Sequence, residues 1–187
     1  ILGLGQLSLT KVMVLVDKGV DVKNRGEVLE QIRKNFDPVD SIMLISQAPT
    51  DTLDFTSKKT HYGNKLVINA TTKSESVNLV PPVIPSDLKA IDRRISKWKL
   101  LKNTLLVVSV EKDGSDVVKN IINSPLISNI KMVAVVSSDI DVNNDVEVMW
   151  GIFTRFDPGD DIYFNKQEFI GAVPKYSGTM GILSLIH

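Results

Sequence analysis

Apolar residues run unbroken from 12 to 16 (VMVLV), recur at Val28, Leu29, Ile32 and Phe36, and close up again at 42–45 (IMLI). A short unbroken run marks a strand buried on both faces, while spacings of three and four mark one face of a helix. Residues 11–16 and 41–45 are therefore expected as strands flanking a helix. Asn24-x-x-Glu27 has the spacing of a capping box, in which the asparagine accepts from free amides and the glutamate reaches back. Asp37-Pro38 ends the helix, because the residue before proline is pushed out of the α region. This pattern predicts a β-α-β unit with a right-handed crossover and parallel strands.

The pattern then returns. A shift of 120 positions lays the stretch from Leu7 on the stretch from Ile130 without a gap. Lys11 meets Lys131, Asp21 meets Asp141, Asn24 meets Asn144, and Glu27 meets Glu147; Phe36-Asp37-Pro38 meets Phe156-Asp157-Pro158. Such a register indicates a duplicated supersecondary unit. Further strands are expected at 65–68, 104–110, 132–136 and 161–164. Further helices are expected at 87–97 (capped by Ser86), 115–123 and 145–155, while the tail from Tyr176 shows no clear period. The fold class that results is α/β: two related β-α-β units with largely parallel strands, in a three-layer arrangement covered by helices. The expected organisation is a first half over 1–80, a linker with a closing helix over 81–103, and a second half over 104–187.

The two repeated helices differ on one side. Both carry the stripe Val28/Val148, Leu29/Met149, Ile32/Ile152 and Phe36/Phe156, but Gly26, Glu30 and Arg33 become Val146, Trp150 and Phe153. Positions i, i+4 and i+7 form one helix face, so the second helix is apolar on both sides. Burying Trp150 and Phe153 would contribute about 1.5–3 kcal/mol each. Either the chain's own tail covers Val146, Trp150 and Phe153, or they form an oligomer interface.

Bulk properties narrow the class. The chain has 187 residues, 43% hydrophobic and 24% charged, with formal net charge +0. A neutral balance gives no footprint for nucleic acid and no polybasic membrane patch, and no apolar run approaches the ~18 residues of a membrane span. The absence of cysteine excludes disulfide and thiol chemistry and fits a cytoplasmic setting. The first residues carry no initiator methionine and no signal-type segment, and read as a cut into a longer protein.

Candidate chemical groups mostly have structural readings. Asp17 and Asp21 follow the first strand, where open sheets bind ligands, and acidic residues there can hold a metal; only Asp21 recurs, as Asp141, which favours loop shaping. His61 has no acidic partner nearby in sequence and reads as a surface histidine, and His187 is the last residue. The glycines of residues 3–8 precede a strand instead of joining a strand to a helix, so they fail the context of a phosphate loop. Arg155 faces Asn35 in the first copy, which leaves Asp-Pro as a helix stop in both. No catalytic residue and no metal-ligand set emerges.

The stretches "GQLSLTKVMVLVDKGVDV", "NFDPVDSIMLISQAPTDTLDF" and "GNKLVINATTK", in that order over residues 5–73, resemble the C-terminal domain of UbiD-type decarboxylases. A weaker likeness continues to 92–98, and the second copy's "DVEVMWGIFTRFDPGDD" is nearer the family phrase than the first. The resemblance implies decarboxylation of an unsaturated or aromatic acid in quinone biosynthesis, with prenylated FMN, a divalent metal and potassium held in an N-terminal domain. It also implies that this domain helps to form a homodimer or higher homo-oligomer, and that it closes over substrate with Leu7 and Leu9 at the pocket edge. Asn69 departs from the family's usual aspartate, and the extension beyond the closing helix is similar to that of menaquinone-pathway members. On this view the fragment alone is inactive, with its own N-terminal flavin domain as partner. The residues themselves leave open a stand-alone α/β module that binds a small anion, and a pure interaction scaffold of two fused repeats.

Overall fold

Taken in chain order, the elements are β1 (Val12–Leu15), α1 (Arg25–Asn35), α2 (Pro38–Ser41), β2 (Ile42–Pro49), β3 (Tyr62–Asn69), β4 (Ile95–Leu101), β5 (Leu105–Val110), α3 (Val117–Ile122), β6 (Met132–Ser137), α4 (Asp145–Arg155), β7 (Ile162–Ile170) and β8 (Val173–Ser184). This is a computed structural model, and it describes residues 10–51, 57, 59–73, 79–111 and 114–185.

Both repeated helices start on the expected asparagine. Asn24 Oδ1 accepts from Gly26 N at 3.1 Å, and Asn144 Oδ1 accepts from Val146 N at 3.1 Å and Glu147 N at 3.4 Å. The glutamates complete the cap in a variant form. Glu27 accepts from Asn24 Nδ2 at 2.9 Å and from Asp21 N at 3.0 Å; Glu147 accepts from Asn144 Nδ2 at 2.9 Å and from Asp141 N at 3.1 Å. The carboxylate bypasses the cap's own amide, because Asp21 and Asp141 fold the preceding loop into a turn by accepting from Lys23 N and Asn143 N. Asp37 and Asp157 end the helices as expected, and Asp37 also caps α2, with Pro38 at its first position.

The α/β class holds, but the strand directions do not follow the expectation. A three-stranded sheet has the order β1-β3-β2, and a five-stranded sheet the order β4-β5-β6-β8-β7. β3 runs parallel to β1 and antiparallel to β2, and β8 runs parallel to β6 and antiparallel to β7. So β1 and β2 point in opposite directions, as do β6 and β7, and each unit is β-α-β-β with its last strand inserted in the middle. Three ladders are parallel and three antiparallel, so the sheets are mixed and not largely parallel. The reason lies at Asp-Pro: the extra turn after the helix returns the chain to the far edge of the sheet. An apolar run carries no direction, so the sequence could not report this.

The registers prove the duplication and show where it breaks. Met13 pairs with Val67 and Val67 with Met43; Val133 pairs with Gly181 and Gly181 with Tyr163. The first and second strands are related by 120 positions, but Leu66 corresponds to Met180, a shift of 114. The β7–β8 connection is thus six residues shorter. Its two-residue turn has Gly171 at φ 62°, a left-handed conformation that glycine adopts without strain. This makes the tail a strand of the core sheet, with Met180 and Ile182 buried.

The expected helix over 87–97 does not form. Asp87, not Ser86, caps a single 3-10 turn at Leu88–Ala90, and β4 follows. β4 joins β5 through Lys102 and Asn103 at φ 49° and 51°, the paired left-handed residues of a tight hairpin. β5 is buried along its whole length, so its backbone edge requires a strand partner that a helix cannot supply.

One apolar core is fed by both sheets and both long helices: Leu66, Ile68, Leu105, Val107, Met132, Ala134, Met180 and Ile182 meet Ile32, Phe36, Ile152 and Phe156. The opposite face of the five-stranded sheet is covered by α3, where Val117, Val118, Ile121 and Ile122 meet Val133, Val135 and Leu183. The opposite face of the three-stranded sheet has no such helix among the described residues, so the expected helical cover on all sides is not general. There Leu15 is 41% and Met43 59% exposed, against the expectation that the first strand is buried on both faces.

Two outcomes test this account. Asn24→Ala and Asn144→Ala should each lower stability by about 1 kcal/mol in urea titration; no change at both sites would mean that the caps are misassigned. Gly181→Ala should cost about 1–3 kcal/mol, since an added Cβ would lie 2.5 Å from Val118 Cγ2 under α3. Wild-type stability in that variant would show that α3 does not pack there.

Candidate functional site

The motif residues of the first half converge at the carboxyl ends of β1 and β3. Asp17, just past β1, accepts from Thr72 N at 2.9 Å and from the Thr72 hydroxyl and the Gln31 amide. These hydrogen bonds, led by the Thr72 side chain, hold its carboxyl below the ordinary value despite opposing desolvation. Asn69 Oδ1 accepts from Thr71 N at 3.1 Å and Thr71 Oγ1 at 2.7 Å, work an aspartate would do equally, so this departure leaves the turn intact. Lys73 donates to Asp40 and, at 2.8 Å, to Ser41 Oγ, while Asn35 Nδ2 donates to Ala70 O at 2.9 Å. The motif therefore laces β1, β3, α1 and α2 together. A cleft of about 600 Å³ opens beside it, lined by Asp17, Lys18, Glu27, Gln31, Lys34 and Lys102 among others.

A second set of contacts ties the halves across a pseudo-two-fold axis. Lys11 Nζ donates to Phe156 O at 2.8 Å, and Lys131 Nζ to Phe36 O at 2.9 Å. Each lysine thus reaches the carboxyl end of the other unit's helix, where carbonyls lack an intrahelical donor and a cation is favoured. Lys65 Nζ donates to Thr10 O at 2.8 Å, and its equivalent Thr179 Oγ1 to Ile130 O at 2.9 Å. Burial pushes the Lys131 ammonium down, opposed by nearby Asp37 and reinforced by Lys73.

Equivalent clefts flank this seam but differ in size. One, of about 290 Å³, is lined by Asn64, Asp157 and Gly159, and Asn64 Nδ2 spans it to Asp157 Oδ1 at 2.5 Å. The other, of about 600 Å³, is lined by Arg33, Asp37, Lys131, Asn165 and Thr179; there Gly178 replaces Asn64, and the Asn165 side chain packs against it. Lys131 was visible in the sequence only as the partner of Lys11 in the repeat, with nothing to say that it crosses the seam.

The remaining candidates separate. Leu7, Leu9, the glycines of residues 3–8 and His187 lie outside the described residues. His61 is exposed. Arg155 pairs with Asp139 at 2.9 and 2.6 Å, its guanidinium 5.6 Å from the Trp150 ring centroid, and this pairing holds the Asp139 carboxyl low. Val146, Trp150 and Phe153 share one face of α4 and remain 62%, 60% and 38% exposed, so the tail does not cover them. Among the described residues no group of three or more His, Cys, Asp or Glu is placed to hold a metal. Among the described residues no helix is long and apolar enough to cross a membrane.

Comparisons with known proteins agree with the motif. The sequence model of the 3-octaprenyl-4-hydroxybenzoate carboxy-lyase C-terminal domain matches residues 1–70 and 90–180. An uncharacterized protein of Helicobacter pylori (strain ATCC 700392 / 26695) is 30% identical over 89% of this chain and 28% of its own length. One of Chlamydia trachomatis is 27% identical over 100% of this chain and 31% of its own length. The chain thus spans less than a third of these relatives. Among solved structures, the Pelotomaculum thermopropionicum UbiD-class enzyme HmfF in complex with FMN gives a TM-score of 0.41 at 18% identity, covering 75% of this chain and 39% of that one. Vanillic acid decarboxylase of Sedimentibacter hydroxybenzoicus in open form gives 0.41 at 20% identity, covering 53% and 24%.

A pH series tests the lacing. Asp17 titrates below its unfolded value, so its tie contributes above the ordinary carboxylate pKa of about 3.9 and is lost as pH falls through the lower folded value. Asp17→Asn should flatten that acid limb relative to wild type in urea titrations between pH 6 and 2. Parallel limbs would remove Asp17 from the lacing.

Proposed function

Because the chain belongs to the C-terminal domain family of 3-octaprenyl-4-hydroxybenzoate carboxy-lyases, the UbiD family, we propose that it serves as the assembly and closing domain of a prenylated-FMN-dependent decarboxylase. The observation that carries this reading is the fate of the family-like motif. Asp17, Asn69, Thr72, Lys73 and Asp40 make hydrogen bonds to one another, to the side chains of Gln31, Ser41 and Thr71, or to backbone, as framework does. A group that held a substrate carboxylate or moved a proton would need a free donor or acceptor facing a cleft.

On this reading the flavin, its metal and the catalytic residues belong to the rest of a cytoplasmic polypeptide some three times longer. The acid is aromatic, a hydroxybenzoate or dihydroxynaphthoate of quinone biosynthesis. The bound flavin supplies the electron sink for loss of CO2. This chain contributes a rigid body that closes on the flavin domain, excludes water, and brings the segment containing Leu7 and Leu9 to the pocket edge.

The test is CO2 release from such acids by the full-length polypeptide loaded with prenylated FMN, beside a version lacking residues 10–185. Turnover is expected in the first and loss of turnover with retained flavin in the second. Full activity without residues 10–185, or CO2 release by the 187-residue chain alone, overturns the reading.

A further inference from the structure

The two equivalent clefts beside the seam have acquired opposite chemistry. The smaller is lined by Lys59, Asp157 and Asp160, and the hydrogen bond from Asn64 to Asp157 crosses it. The larger, of about 600 Å³, holds two cations, Arg33 and Lys131, against one carboxylate, Asp37. The equivalents of those cations, Phe153 and Lys11, do not line the smaller cleft. Lys131 keeps the seam bond that Lys11 also makes, but only Lys131 faces a cleft, and only beside an arginine.

Neither cation is used up by the fold. The Arg33 side chain is only 17% exposed, yet among the described residues its one ion pair is with Glu30 at 3.9 Å, beyond hydrogen-bond range. A guanidinium offers five N–H donors in a planar fork that matches a carboxylate. Lys131 Nζ has three donors and spends one on Phe36 O at 2.9 Å. Burial disfavours its charge, a cost that an anion in the cleft would offset. Asp37 Oδ1 is turned to Val39 N, from which it accepts at 3.0 Å. The lining also carries Leu79, Val80 and Ile127, and Leu79 and Val80 stay 37% and 59% exposed. A cleft of this volume that combines apolar side chains with a few charged donors has the make-up of a small-molecule site. A bare inorganic anion would leave the apolar part of the lining in water.

We infer that this cleft binds a hydrophobic monocarboxylic acid, its carboxylate held by Arg33 and Lys131 and its apolar body against Leu79, Val80 and Ile127. Two cations and Asp37 leave the lining one net positive charge, which matches one negative charge on the ligand. Every residue of the site belongs to this chain, and binding breaks no bond, so the inference stands apart from the turnover proposed above. For a decarboxylase the consequence is selective. Loss of CO2 removes the very group that Arg33 and Lys131 hold, so the cleft takes the acid and releases its product.

Calorimetric titration of the 187-residue chain with 4-hydroxybenzoate should show one site, with a dissociation constant of about 1 mM or tighter. Phenol, which lacks the carboxylate, and acetate, which lacks the ring, should each bind at least about 10-fold more weakly. Arg33→Gln removes the guanidinium, and Val80→Asp sets a like charge on the exposed rim. Each should keep the wild-type circular dichroism and weaken 4-hydroxybenzoate about 10-fold or more. Amide chemical shifts induced by the acid should gather at Asn123, Lys131 and Thr179. Absence of binding at millimolar acid, equal binding of phenol or acetate, or undiminished binding by Arg33→Gln overturns the inference. So do shifts gathered around Lys18, Lys34 and Lys102, which would place the acid in the cleft beside Asp17. None of these outcomes bears on CO2 release by the longer polypeptide, so the two readings fail separately.

Discussion

The fold depends on the exchange of two lysines. A proline two residues past Phe36, and another past Phe156, stops each helix abruptly and leaves its last carbonyls without donors. In a helix end facing water that would matter little. Here both ends turn into the seam between the units, where an unpaired carbonyl would carry a full desolvation cost. Lys131 and Lys11 meet that need from opposite sides, and in doing so fix how the sheets share one core. Burial disfavours the charged form of the half-buried Lys131 ammonium, and the bond to Phe36 O together with the nearby Asp37 carboxylate opposes that cost.

How the sequence reports this structure depends on the range of each interaction. Helices, caps and the Asp-Pro stop are decided within about five residues, and α4 lies over 145–155 as the spacing requires. The repeat, too, was legible as far as its register is ungapped. Strand direction was not, because β3 and β8 insert between strands that precede them, and this is settled by the turn at 38–41 and not by the strands' own residues. Residues 95–97 read as the end of a helix over 87–97 because the alternation of this strand is blurred by Lys97, Trp98 and Lys99; the Lys102–Asn103 turn decides the matter, and it shows only as two unremarkable residues. The family-like motif was legible as a motif and opaque as a mechanism. Spacing names Asp17 and Lys73, but only the folded chain shows that Thr72 and Asp40 consume them.

The two units have diverged where they have different neighbours. Asn64 bridges its cleft while Gly178 packs against Asn165 in the other, and α1 carries the Glu30–Arg33 pair where α4 exposes Trp150 and Phe153. Their shared positions are those of the seam, the caps and the inner core. Divergence reaches the seam as well, where Asn64 and Lys65 of the first unit correspond to Gly178 and Thr179 of the second.

The crossed lysine bonds carry one more consequence, which concerns ancestry. A unit spanning residues 10–73 holds both the lysine and the carbonyl that such a lysine seeks, so it is complementary to itself. Two free copies would satisfy one another as the halves do here, since an isologous contact repeats each interaction twice. Joining the copies in one gene adds no new recognition; it makes a bimolecular encounter unimolecular. Once joined, either copy is free to lose what the other retains, and a gap such as the six missing residues between β7 and β8 costs the pair nothing at the seam.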